Sequence, residues 1–193
     1  MSFNIDQFRT AMQYDGARPN LFEVVLAFPN FVELRGQASS VSRFFVKTAQ
    51  LPGSTIGAVT VPYFGREVKV AGNRTFADWT VTVLNDEDFV IRQAFERWLR
   101  GINGNKTNLR EPGAVSTSPL TPGTSYAVDC EVYQYSKAGG SPIKKYRFVG
   151  MFPNDVAPID LDWGSNDTVE EFSVTLSYQY WESVDTRQAI PGA

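Results

Sequence analysis

The sequence predicts a mainly β fold, an antiparallel β-sandwich or barrel-like domain with one flanking amphipathic α-helix. Three observations carry this. Fourteen Phe, eight Tyr and four Trp are scattered among Val and Thr, the residue types that suit pleated, half-buried surfaces. Short alternating apolar–polar runs, separated by Gly, Pro, Asn and Ser, recur along most of the 193 residues. One stretch only, following Asn85, has helical periodicity: Ile91, Phe95, Trp98, Leu99 and Ile102 share one stripe, and Gly101 supplies the stop.

The elements follow in order. Residues 2–12 suit a short helix, or an arm that docks on a neighbour. Residues 21–28 read as a strand closed by Pro29-Asn30, with 31–34 able to pair back on it. Residues 42–50 alternate, less cleanly, as a further strand before the turn Leu51-Pro52-Gly53-Ser54. Residues 58–63 and 66–70 bracket Phe64-Gly65 as a hairpin. Residues 75–84 alternate Thr and Asp against Phe76, Trp79, Val81 and Val83, with a slip at Ala77-Asp78 that suits a bulge. Asn85 then reads as the N-cap of the helix, with Asp86, Glu87 and Asp88 placed where a helix N-terminus favours acid. A lone helix must lay its stripe on a sheet, so Trp79, Ile91, Phe95 and Trp98 are assigned to a helix–sheet core. Residues 104–123, rich in Asn, Gly, Pro, Ser and Thr, read as a surface loop. Residues 125–136 and 143–150 form a second hairpin around Lys137-Ala138-Gly139-Gly140, and 169–181 the last strand. The whole, 1–193, reads as one domain with an N-terminal arm (1–16) and a flexible C-terminal tail (184–193).

One internal echo stands out. Residues 75–83 (TFADWTVTV) line up with 168–176 (TVEEFSVTL), each run preceded by an Asn two positions earlier. A duplicated half explains it, and so do two similar strands of one sheet.

The composition removes most catalytic chemistry. Histidine is absent, so there is no imidazole base, no Ser-His or Cys-His pair and no histidine metal ligand. The single cysteine, Cys130, alternates with Val128 and Val132 and reads as a core thiol. No phosphate-cradling glycine motif occurs, and no cofactor or metal is expected. Paired carboxylates (Asp86 to Asp88, Asp160 with Asp162, Glu170 with Glu171) leave a carbohydrate-binding or glycosidase β-sandwich as the rival from another class. Each group has a plainer reading, at a helix start, a turn and a strand start. The chain therefore reads as a non-enzyme. A net charge of −3 with no basic cluster argues against gripping nucleic acid. No apolar run is long enough for a membrane span, and the start MSFNIDQFRT lacks a signal-peptide layout, so synthesis in the cytoplasm is expected.

A set of landmarks runs through nearly the whole chain: ARPNLFEV at 17–24, Leu51-Pro52, GNRTF at 72–76, DWTVTV at 78–83, Asn85-Asp86-Glu87, Leu161-Asp162-Trp163, Ser165-Asn166, Phe172, VTL at 174–176 and Tyr180-Trp181-Glu182. In these residues and their order the chain resembles the tail tube proteins of T4-like contractile-tail bacteriophages. It departs at 38–47, 101–125 and after Glu182. The resemblance implies a structural protein of the virion tail whose hexameric rings stack into the inner tail tube, their strands joining into a barrel around a channel. It implies partners in the tail sheath protein, a baseplate or tube-initiator protein and a tail terminator. DNA would pass without specific binding, along a wall whose negative or neutral potential repels phosphate. By resemblance the hairpins at 58–70 and 125–150 line the channel, with Glu67, Asp129 and Glu131 as candidate lumen acids. The segment 39–57, with Ser42, Phe44, Lys47, Leu51 and Pro52, corresponds in position to a loop that reaches the adjacent ring. A tube subunit of a related contractile injection or secretion system, or a baseplate cap, fits the same landmarks.

Overall fold

A computed structural model describes residues 4–12, 16–114 and 126–184. Two four-stranded layers share one long strand. The first runs β1 (Phe22–Val25), β6 (Val128–Gln134), the first half of β7 (Lys144–Val156) and β9 (Tyr180–Val184). The second runs β2 (Val46–Thr48), β5 (Trp79–Leu84), β8 (Glu171–Ser177) and the second half of β7. All pairings are antiparallel. The hinge between layers is Gly150, at φ +66°, where a Cβ would also lie 3.0 Å from Gln179 Cγ. Beside it the β8–β9 chain bends in step, with the Gln179 amide donating to the Val149 carbonyl at 3.0 Å. Strands that change sheet through such a corner are how orthogonal sandwiches close.

The core lies between the layers. Alternation sends Trp79, Val81 and Val83 of β5, Phe172, Val174 and Leu176 of β8, and Cys130 and Val132 of β6 inward, all buried. Helix α3 (Val90–Ile102) covers this core with Val90, Ile91, Ala94, Phe95 and Trp98. Phe28, Phe95 and Trp98 form an aromatic cluster with ring centroids 5.1 to 6.1 Å apart. The Trp98 indole N–H donates to the Tyr126 carbonyl at 2.7 Å, so its one polar atom is satisfied inside.

The echo between 75–83 and 168–176 has a simple origin. β5 and β8 are antiparallel neighbours, Val81 faces Val174, Trp79 faces Leu176 and Val83 faces Phe172. Equivalent residues of the two runs thus sit about a local two-fold axis in one sheet.

Several local expectations are corrected. Residues 35–45 form a second helix, α2 (Arg35–Phe45), so Ser42 and Phe44 lie on a helix rather than on a strand or loop. Its apolar face was masked in the sequence by Ser and Gly; Ser42 is wholly buried because its hydroxyl accepts from the Leu26 amide at 3.2 Å and donates to the Ser39 carbonyl at 2.8 Å. Residues 31–34 turn into this helix instead of pairing with β1. The N-cap of α3 is Phe89, at φ +53°, not Asn85. Asp86 reaches forward to accept from the Val90 amide at 3.3 Å, while the Asn85 side chain donates to Glu170. The last strand is two, broken at 178–179 by the corner described above.

Candidate assembly surface

The part of the molecule least explained by its own core is a hairpin. Among the described residues β3 (Thr55–Tyr63) pairs only with β4 (Arg66–Thr75), and of residues 55–75 all but Gly72 are exposed. An isolated two-stranded sheet is marginal in water. Its register sorts the side chains cleanly. On one face Val59 opposes Val70, Val61 opposes Val68 and Tyr63 opposes Arg66; on the other Ala58 opposes Ala71, Thr60 opposes Lys69 and Pro62 opposes Glu67. One face is Val-rich up to Tyr63 and Arg66, and the other mixes Thr60, Lys69 and Glu67 with Ala and Pro, the pattern of a strand pair with one side to be covered. At the tip Phe64 is 94% exposed and held at φ +43°, followed by Gly65 at +82°. Two positive φ values are the type I′ turn that hairpin twist favours, but an aromatic in the first position is uncommon.

The hairpin's base is tied down by two indoles. Trp79 donates to the Gln50 carbonyl at 2.7 Å and Trp181 to the Gly53 carbonyl at 3.1 Å. Phe76 packs on Tyr178 beneath it.

The residues assigned to a helix–sheet core, Trp79, Ile91, Phe95 and Trp98, are buried together under α3. The segment placed at 39–57 is mixed: Ser42 is internal, Phe44 is 81% exposed, Leu51 is exposed and Pro52 half-buried. Lys47 forms an ion pair with Glu171 at 2.7 Å. Glu67 lies on the polar face of the hairpin, away from Asp129 and Glu131, which sit on the outer face of β6.

Those two acids are not free carboxylates. Asp129 pairs with Arg147 at 2.5 Å and accepts from the Gly150 amide at 3.0 Å; Glu131 pairs with Lys145 at 2.8 Å and accepts from the Tyr133 hydroxyl. Burial pushes the Glu131 carboxyl up, but the hydrogen bonds from Lys145 and Tyr133 outweigh it and hold it below the usual carboxylate range. The bond to Glu131 raises Lys145 in turn. Cross-strand alternation could show the acids on one face, but their partners come from β7, in a register the sequence does not print. The carboxylates proposed for catalysis are structural too: Asp86 caps α3 and Asp162 accepts from the Gly164 amide at 2.9 Å. Cys130 is buried against the Ala27 carbonyl, and burial pushes its thiol up to about 12.

A second exposed region was signalled only by Trp163. The connection 157–170 has every residue from 160 to 169 exposed, including Leu161, Val169 and a fully exposed Trp163. Of the sequence-defined termini, α1 (Ile5–Ala11) buries no residue, and 185–193 lie outside the described residues, as do 115–125 of the long loop.

Comparison with known proteins bears on family and fold. A family model described as phage tail tube protein matches residues 17–184. The tail tube protein gp19 of Enterobacteria phage T4 is 34% identical over 172 residues, covering 87% of this chain and 92% of that one. The tail tube protein of Serratia phage KSP90 is 26% identical over 185 residues, 95% and 97% of the two chains. Among solved structures, a chain of the anti-feeding prophage baseplate superposes with a TM-score of 0.60 at 16% identity, covering 89% and 97%. A chain of an extracellular contractile injection system sheath–tube complex does so at 0.52 and 12%, covering 95% and 99%. These last two are likenesses of fold.

Proposed function

The chain belongs to the phage tail tube protein family, and from that premise we propose how it builds the tube. It is a structural subunit of the inner tail tube and part of the virion tail. In our reading the single domain closes into hexameric rings that stack. The apolar face of the β3–β4 hairpin lies against a neighbouring copy, and its polar face, with Thr60, Glu67 and Lys69, turns to the channel. The carrying observation is that hairpin: a Val-rich sheet face that the described residues leave uncovered.

DNA passes through such a channel without specific binding. The net charge of −3 repeats in every copy, so the wall repels phosphate rather than holding it. Asp129 and Glu131, where they face the channel, arrive already paired with Arg147 and Lys145, which makes that wall hydrated and near neutral. The sheath protein surrounds the ring stack, with a baseplate initiator at one end and a terminator at the other. The subunit carries no catalytic centre in this reading, since Asp86 and Asp162 serve a helix start and a turn. Negative-stain electron microscopy of the purified chain across concentrations, with and without a baseplate fraction, tests the proposal. Hollow tubes or six-fold rings of uniform diameter are expected; compact monomers alone, even with baseplates present, would overturn it.

A further inference from the structure

The hairpin and the 157–170 connection are two regions that carry exposed large apolar residues, and they meet the second sheet at opposite ends. The hairpin leaves the sheet where β5 begins, at Trp79 beside Leu176; the connection joins it where β5 ends, at Leu84 beside Glu171. The six residues of β5 separate these ends by roughly 20 Å. Among the described residues the hairpin strands pair only with each other, which leaves the tip for a second copy stacked head to tail.

The two regions also match in chemistry. The 157–170 connection walls a cleft of about 560 Å³ with Pro158, Ile159, Leu161, Trp163 and Val169. That space is ample for aromatic rings, since a cavity of about 150 Å³ holds benzene. Its charged lining is acidic, Asp160, Asp162, Glu170 and Glu171, of which Glu171 is paired with Lys47. The hairpin end carries the complement. Phe64 and Tyr63 form an edge-to-face pair with centroids 4.7 Å apart, and Arg66 stands directly opposite Tyr63, with Glu67 on the other face. Phe64 holds a left-handed φ, a costly backbone for a non-glycine residue, with its ring 94% exposed. A strained, fully presented aromatic gains from a pocket that covers it.

We propose that the Tyr63-Phe64 tip of one copy seats in the Leu161–Trp163 cleft of the next, with Arg66 facing its acidic rim. This deepens the tube reading and rests on it for the identity of the partner as a second copy. The contact is heterologous, donor tip into acceptor cleft, so each copy offers one of each and the chain of contacts propagates. Phe64 and Trp163 are its anchors, as buried aromatics are at most interfaces.

Cross-linking tests it with the full-length chain. Phe64→Cys protein mixed with Leu161→Cys protein under mild oxidation should give a mixed disulfide dimer, and the double variant a ladder of covalent oligomers. Buried Cys130 stays out of this chemistry. Phe64→Asp, which touches no core residue and so leaves the thermal midpoint in place, should raise the concentration needed for assembly at least ~10-fold. Parallel electron microscopy separates the two readings. Tubes without the mixed disulfide overturn the tip-in-cleft contact and leave the tube standing. The mixed disulfide without tubes keeps the contact between copies and removes the tube. Neither product, in concentrated protein with baseplates present, overturns both.

Discussion

Strand β5 and the β3–β4 hairpin are written in the same alphabet and meet opposite fates. In β5, Trp79, Val81 and Val83 alternate with Thr and Leu and are almost wholly buried. In the hairpin, Val59, Val61, Val68 and Val70 alternate just as regularly, and each is about half exposed. What differs is the cover. β5 has β8 and β2 on its flanks and α3 over the core it helps to build, whereas the hairpin has only its own partner strand. Alternation therefore records that a face is to be covered, and leaves open whether the cover belongs to the same chain.

The sharpest way to break this comparison is to make one substitution in both places. Val81→Asp buries an unpaired carboxylate in the core and should abolish folding, a loss of at least ~4 kcal/mol. Val61→Asp lies on a face the monomer leaves open, so its thermal midpoint should stay within about 2 °C of the parent while assembly is lost. Matched circular dichroism melts and sedimentation of the two variants decide the matter; equal destabilisation would mean the hairpin face is covered within the monomer. A second substitution sharpens the core side. At Gly101, near the end of α3, an added Cβ would fall 2.2 Å from Phe31 Cε2, so Gly101→Ala must displace that ring and should cost about 1 to 3 kcal/mol by chemical denaturation. An unchanged midpoint would show the 31–34 turn to be freely mobile.

The smallest effect expected is electrostatic and belongs to the outer face of β6. The folded Glu131 carboxyl lies below its unfolded value, so its contribution is complete above the unfolded carboxylate range near pH 4.5 and is lost as pH falls through the folded value. The pair is partly solvated, so its worth is about 1 kcal/mol or less. Glu131→Gln should flatten the acid limb of the stability curve below about pH 4.5 by that amount and leave stability near pH 7 lower by the same. A parallel loss at every pH would assign the effect to packing.

Much of this was legible in the sequence, for reasons that can be named. The stripe of α3 and the alternation of β5, β6 and β8 are strong periodic signals because their cover lies within the chain. The hairpin turn at Phe64-Gly65 was legible from its Gly and its flanks. Helix α2 was not: Gly36, Ser39, Ser40 and Ser42 hide its apolar stripe, and the burial of Ser42 depends on the Leu26 amide, a tertiary partner no local pattern shows. The start of α3 slipped from Asn85 to Phe89 because Asp86 caps from four residues away and Asn85 is taken by Glu170. Of the surface, the acids Asp129 and Glu131 could be read as sharing a face, but their neutralisation by Arg147 and Lys145 rests on the pairing register. Trp163 stood in the sequence as part of the Leu161-Asp162-Trp163 landmark, and its exposure was not legible there.

The two indole hydrogen bonds at the base of the hairpin carry a mechanical consequence. Trp79 belongs to one sheet and Trp181 to the other, and they grip the same short strand of backbone at Gln50 and Gly53. A tug on the hairpin is thus divided between both layers, and the force is borne by one buried and one half-buried ring instead of by a single loop.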